Sequence, residues 1–493
     1  MNNDIEPKRS SGQLFLTVFP SIMLPMFLAV VDQTIVATAL PAIAASLGGV
    51  ERVSWVVVAY LIAGTIAAPV YGQLRDVYGG KRVMFFALGI FLAASLLCAA
   101  ATSVEMLVMA RVLQGFGGGG LMTLSQALIG ETIPPRERAH YQGYLAGVMV
   151  TSSTFGPVVG GYLTAHFGWR SVFLINLPLG VIAVVLMLRL VPRPTRDLPW
   201  TFDGMGLALF VAFIVPLLLA LEQAQRMSAS SLLAFALLMA LSLAALIALV
   251  RQERRAAFPL LPISLLRQPT IWRSDALAAC HGATLVSLIT FLPIYLRVVR
   301  GASASETGLL LLPLMFGIGI GSMVTGRIVT RTGLTAIFPS VGLIFATASL
   351  LALGLLADDM STRQLSFYLF GNGLFMGTVM GVVQVTVQNA AGSGSLGSAA
   401  ASVQLSRSIG AAVGTALVGT VLFAGLALSG PDTTALFDAL LQQDTGTLAA
   451  LPPARQVIVQ SEIAAAFRAA FLTIAAFAAI GTALAWSIPA RRL

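Results

Sequence analysis

Charge is scarce in this sequence. Asp, Glu, Lys and Arg make up 10% of the 493 residues, against about 25% in soluble domains, and 57% of the chain is hydrophobic. With a mean hydropathy of +0.90, a soluble domain is excluded and an integral membrane protein remains. Cysteine is nearly absent. Cys98 and Cys280 both lie in apolar runs, which speaks for packing and against a disulfide or a metal site. The three histidines, His140, His166 and His281, sit in separate segments, so no metal or nucleophile–base cluster assembles locally. A membrane-embedded enzyme or sensor is therefore not expected, nor is a cofactor. No cleavable signal is evident, because the polar start through Ser11 runs directly into a full-length span. The basic excess, with a pI near 10.1, is scattered over short loops; it suits orientation in a bilayer better than nucleic acid.

What is abundant is apolar sequence of spanning length, roughly 20 residues per crossing. Such runs recur at 14–40, 53–74, 83–102, 105–129, 139–163, 171–190, 203–222, 230–250, 271–297, 306–329, 335–356, 363–388, 399–428 and 463–488. The expected fold is an all-α membrane protein of fourteen transmembrane helices. With the amino terminus inside, most basic residues, among them Lys8, Arg9, Arg193, Arg196, Arg491 and Arg492, fall in cytoplasmic segments. This asymmetry places both termini in the cytoplasm. A weak repeat relates Gly72, Asp76 and Gly79 to Gly326, Thr330 and Gly333 at identical spacing. It suggests two six-helix halves, 1–190 and 271–493, separated by an inserted two-helix linker, 191–270. Repeats of this kind are common in secondary transporters, whose substrate site lies between the halves. The stretch 429–462, with Pro431, Pro452 and Pro453, is expected as an external loop, with room for a short amphipathic element.

Asp32 is the acid that sits deepest by these boundaries, inside an otherwise uncharged run. A carboxylate at the centre of a spanning helix costs about 2.5–3.5 kcal/mol and is kept mainly for ion or substrate pathways. Arg111 in helix four lies at comparable depth, so it either interacts with Asp32 or snorkels to the outer interface. Gly72, Arg75, Asp76, Gly79, Lys81 and Arg82 form a cytoplasmic turn, where glycine permits tight geometry and Asp76 can accept bonds from a helix amino terminus or an arginine. The glycine run 117–120 has no preceding strand and no following Gly-Lys-Ser/Thr, which excludes a phosphate-binding loop. In helix five, Gly156 and Gly160 make a small-xxx-small face, Pro157 can bend the helix, and Gly161 follows.

Together these strings resemble the drug:proton antiporters of the major facilitator superfamily, in their fourteen-helix branch. The carriers are Asp32-x-Thr34-Ile35-Val36, the Gly72–Arg82 turn, Arg111-x-x-Gln114-Gly115, Gly156-Pro157 through Gly161, and Phe173-x-Ile175-Asn176-x-Pro178-x-Gly180. The resemblance implies outward transport driven by inward proton flow, with Asp32 and Arg111 as coupling residues, Gly72–Arg82 as a conformational latch and Gly156, Pro157, Gly160 and Gly161 of helix five as the antiporter motif. One departure concerns charge: some relatives that export dications carry a further acid in helix two, where this chain reads Trp55-Val56-Val57-Val58-Ala59-Tyr60.

The expected function is a proton-coupled antiporter exporting lipophilic, often cationic drugs across the bacterial inner membrane. An exporter of an endogenous lipid, siderophore or metabolite is the alternative, since one fold hosts many functions. Trp55, Tyr60, Gln114, Gln126, His281, Phe291, Gln384 and Gln404 are candidate cavity residues. The expected partners are a lipophilic small molecule, protons and membrane lipids. A monomer is expected, with a periplasmic adaptor left open.

Overall fold

The computed structural model describes residues 19–48, 52–190, 202–224, 229–261, 263–357, 360–441 and 452–492. The basic residues Lys8, Arg9, Arg193 and Arg196, and positions 442–451 of the expected external loop, lie outside these. Among the described residues fourteen long helices follow one another: α1 (Phe19–Leu47), α2 (Trp55–Tyr78), α3 (Gly80–Ala99), α4 (Val104–Thr132), α5 (Pro135–Phe167), α6 (Ser171–Leu188), α7 (Gly204–Gln223) and α8 (Ala229–Glu253). Then come α9 (Pro269–Val298), α10 (Ala304–Thr332), α11 (Ile337–Leu356), α12 (Thr362–Ala391), α13 (Leu396–Ser429) and α14 (Pro453–Ser487).

Twelve of these helices are long and apolar enough by themselves to cross a membrane. The two that are not, α4 and α5, carry the arginine–glutamine, glycine and serine–threonine strings. Their polar content lowers their hydropathy, and in α4 Arg111, Gln114, Thr123 and Ser125 are buried within the protein. The stretch 429–462 differs from the expected loop. It holds an eleven-residue helix, Pro431–Leu441, and α14 starts at Pro453 rather than near 463. Proline is well suited to a first helical turn, where its missing N–H has no partner to lose. Leu436 and Phe437 of the short helix enter an apolar core with Phe467 and Phe471 of α14.

Contacts divide the chain into two compact units. The first comprises 1–134, 151–201 and 393–401; the second comprises 135–150, 202–392 and 402–493, including the α7–α8 pair. The core of the first gathers Ile35, Val36, Val56, Leu107 and Phe173. That of the second gathers Leu288, Phe291, Tyr295, Leu350, Leu422 and Phe471.

Glycine sets the closest helix approaches. A Cβ on Gly115 would meet the Tyr60 carbonyl oxygen at 2.4 Å, and one on Gly119 the Gly64 oxygen at 2.3 Å. The glycine run of α4 is thus a mid-helix face against α2 and α3, a common device where lipid supplies no hydrophobic drive between helices. The repeated Gly–Asp/Thr–Gly spacing also has a structural meaning. Gly79 and Gly333 both end a helix at positive φ, 85° and 71°, a region glycine enters without strain.

Candidate functional site

The buried polar centre of the first unit is built from α1, α2, α3, α4 and α6. Asp32 and Arg111 are both 0% exposed, and Arg111 Nη1 donates to Asp32 Oδ2 at 2.5 Å. Gln114, one helical turn beyond Arg111 and therefore on the same face, accepts from Arg111 Nη1 at 2.7 Å. Its amide nitrogen donates to Asp32 Oδ1 at 3.0 Å and to Ser95 Oγ at 2.9 Å. Asn176 Nδ2 adds a third donor to the carboxylate, 2.8 Å from Asp32 Oδ1. Arg111 Nε donates to the Val56 carbonyl at 3.0 Å, and its guanidinium lies 4.2 Å from the centre of the Tyr60 ring. Tyr60 in turn donates to Ala29 O at 3.0 Å. Both carboxylate oxygens are satisfied without water. Arg111 therefore turns inward rather than snorkelling. An ion pair this well sealed is costly to assemble, and removing one partner costs about 3–5 kcal/mol because the other charge is stranded.

The Asp32 string and the helix-five string meet directly. A Cβ on Gly156 would lie 1.9 Å from Thr34 Oγ1, and one on Gly160 2.4 Å from Thr38 Oγ1 and 2.8 Å from Ile35 O. Thr34 Oγ1 donates to Val31 O at 2.9 Å and lies 3.4 Å from Ser152 O. Gly161 faces open space, and Pro157 is exposed. Two of the four helix-five residues thus form the contact.

The Gly72–Arg82 turn makes a second polar cluster. Asp76 caps the start of α13: its Oδ1 accepts from Gly397 N at 2.8 Å, and its Oδ2 from Ser398 N at 2.9 Å and Ser398 Oγ at 2.8 Å. Such a carboxylate is stabilised by the positive end of the helix dipole. Arg75 bridges Asp76 Oδ1 at 2.8 Å and Glu131 Oε2 at 2.7 Å. Gly72 makes the approach feasible, since a Cβ there would meet Ala401 Cβ and Gly397 O at 2.7 Å. Lys81 caps the far end of α6 through Leu188 O and Leu190 O, at 3.0 and 2.5 Å. Arg82 is exposed.

The Major Facilitator Superfamily profile matches residues 22–415, most of the chain. This chain belongs to the Major Facilitator Superfamily. It is a multi-pass membrane protein of a transporter family, not an enzyme. It is 32% identical over 419 residues to the multidrug transporter protein MdtP of Bacillus subtilis, covering 85% of this chain and 76% of that one. It is 31% identical over 410 residues to an uncharacterised MFS-type transporter of Mycobacterium tuberculosis, covering 82% of this chain but only 59% of the relative. Among solved structures, it superposes on the human organic anion transporter MFSD10 with a TM-score of 0.67 at 14% identity, over 97% of this chain and 100% of that one. The proton:xylose symporter XylE gives 0.62 at 12% identity, over 97% and 96%. At these identities the likeness concerns the superfamily fold alone.

Within this superfamily member the candidate cavity residues fall in several places. Tyr60 and Gln114 belong to the Asp32–Arg111 centre. Trp55 is exposed at the start of α2, and Gln126 is half-buried on α4. In the second unit, Phe291 is packed in the apolar core. Gln384 is buried on α12 with its amide nitrogen unpartnered. Gln404 on α13 accepts from Arg407, and His281 on α9 lies within electrostatic reach of that arginine. Ser95, Asn176, Glu131, Gly397 and Ser398 join the two polar clusters without having been singled out as site residues. Asn176 alone carried a signal, as part of the Phe173-x-Ile175-Asn176-x-Pro178-x-Gly180 string.

Proposed function

We propose that the protein is a proton-coupled antiporter that exports lipophilic, often cationic compounds across a bacterial inner membrane by alternating access, with both termini in the cytoplasm. The observation that carries this reading is the sealed Asp32–Arg111 pair, cross-braced by Gln114 and Asn176. A carboxylate that is satisfied only while ionised is a two-state element: taking up a proton releases its bond to Arg111 and loosens α1 from α4. In the outward-open state Asp32 takes a proton and substrate leaves; in the inward-open state it loses the proton and substrate binds. Each charge moved inward contributes about 2.3 kcal/mol per 100 mV of membrane potential.

The Asp76 cap on α13 acts as the latch. It ties the α2–α3 turn to the start of α13 by hydrogen bonds to its carboxylate. Such a contact biases conformations rather than holding ligand. The similarity to multidrug transporters of Bacillus subtilis supports export of drug-like molecules. The test is transport in inverted vesicles with an imposed pH gradient. Compound-dependent proton efflux from acid-loaded vesicles, abolished by Asp32→Asn, is the expected result; uptake insensitive to the gradient defeats the coupling reading.

A further inference from the structure

A second intramembrane arginine is treated differently from Arg111. Arg407 lies well inside α13, about 16 Å along the helix from Leu396 at 1.5 Å per residue. It is half-buried and takes part in none of the ion pairs of the described residues. Its one hydrogen bond is to Gln404 Oε1, at 2.8 Å, one turn back on the same helix. Among the described residues the remaining guanidinium donors have no protein acceptor. An unpaired charge at such depth is costly, and intramembrane arginines normally face the bundle interior and hold a partner.

The surroundings are shaped for it. Gly282 of α9 leaves the space that the Arg407 stem occupies: a Cβ there would meet Arg407 O at 2.4 Å and its Cγ at 3.1 Å. Next to Gly282, His281 is 5% exposed, lies within electrostatic reach of Arg407, and bonds Met376 O through Nε2 at 3.1 Å. That bond makes Nε2 the donor and leaves Nδ1 an acceptor with no partner. The nearest acid along α9, Asp275, is about 10 Å away along the helix and accepts from Ser402 Oγ at 3.4 Å instead. Among the described residues the protein therefore supplies a planar five-donor cation with an amide beside it, but no ion-paired counter-charge.

We propose that Arg407, with Gln404 and His281 beside it, is a docking point in the second unit for an acidic group (carboxylate, sulfonate or phosphate) carried on a lipophilic body. The guanidinium fork matches such groups bidentately. That this ligand is exported rests on the transport reading above. The subsite itself is read by binding alone, so the two can fail separately. It extends the substrate range to zwitterionic and anionic amphiphiles and adds a positive charge unfavourable to dications.

The experiment uses the full-length protein in phosphatidylcholine nanodiscs, with dansylamino-undecanoic acid and its methyl ester as probes. The acid is expected to bind about tenfold more tightly, which is about 1.4 kcal/mol. Arg407→Gln should erase that difference by weakening the acid alone, while Arg407→Lys keeps part of it. Equal wild-type affinity for acid and ester overturns the proposal, as does an Arg407→Gln variant that loses both probes alike. The wild-type ratio needs no variant and decides even if one misfolds. Repeating the titration with phosphatidylglycerol in the nanodisc separates two sources of the acid. Competition by that lipid assigns the subsite to an anionic headgroup; its absence, with Arg407-dependent export of the acid, assigns it to substrate. Loss of gradient-driven transport with the acid/ester ratio intact defeats the coupling reading and leaves the subsite standing.

Discussion

Asp32→Asn is the perturbation with the sharpest consequences. The variant removes the negative charge but keeps the shape, so Arg111 stays where it is, 0% exposed, facing an amide. Its bonds to Gln114 and Val56 O survive, and so does its contact with the Tyr60 ring. What is lost is the counter-charge, and stranding a buried cation costs about 3–5 kcal/mol. Arg111→Gln strands the carboxylate instead and is expected to cost a similar amount, although Asn176 and Gln114 still donate to it. Replacing both charges at once removes the reason for either penalty. The double variant should therefore recover about 2 kcal/mol or more relative to the sum of the singles, at the upper end of coupling energies between contacting residues. Thermal unfolding in detergent reads this directly. Cys98 is buried and Cys280 half-buried, so a thiol-reactive dye reports their exposure on unfolding. Both singles should melt well below wild type, with the double variant above the temperature that adding the two losses would give. Transport separates the two roles of the pair, because gradient-driven export should be lost in all three variants while membrane insertion is normal. Strictly additive destabilisation would refute the ion pair as a stability element. A well-expressed Asp32→Asn protein that still couples transport to the pH gradient would refute its role as the proton carrier.

Asp76→Ala should slow turnover severalfold with equilibrium substrate affinity nearly unchanged, since the residue holds Gly397 and Ser398; equal losses in Kd and rate would count against a latch. Gly156→Ala should impair export and lower the melting temperature, because its methyl carbon falls 1.9 Å from Thr34 Oγ1. Thr34→Ala should restore part of both, and no rescue would mean that the α1–α5 contact is not the cause. For selectivity, Asp32 is the acid available at the sealed centre and Arg111 already neutralises it, so rigid dications should be poor substrates. Matched mono- and dicationic dyes in vesicles give the comparison, and Val58→Asp, at a half-buried position on α2, should narrow the gap. Equal wild-type rates for the two dyes would defeat the single-carboxylate argument.

The sequence alone was enough for the helices, because a bilayer demands long apolar runs with every backbone group satisfied internally. Fourteen runs were expected and fourteen helices are present among the described residues, although two of them fall short in hydropathy. Asp32 and Arg111 were legible for the same reason, since a charge in such a run is expensive enough to need an explanation. Helix ends were less legible. Pro453 opens α14 well before the apolar stretch begins, because helix propensity does not end where hydropathy does.

Only the tertiary structure decided who meets whom. Ser95 is an ordinary small polar residue in chain order, and Asn176 was legible only as part of a motif string; both become site residues because α3 and α6 bring them to Asp32 and Gln114. The Asp76 cap joins positions more than 300 apart in sequence, and no local pattern encodes such a partner. The two arginines make the same point. Each stands alone in an apolar run, but the fold hands Arg111 a carboxylate and leaves Arg407 with a single amide. Pairing across helices depends on depth, facing and the glycines that let backbones close, and those are properties of the packed bundle rather than of any one segment.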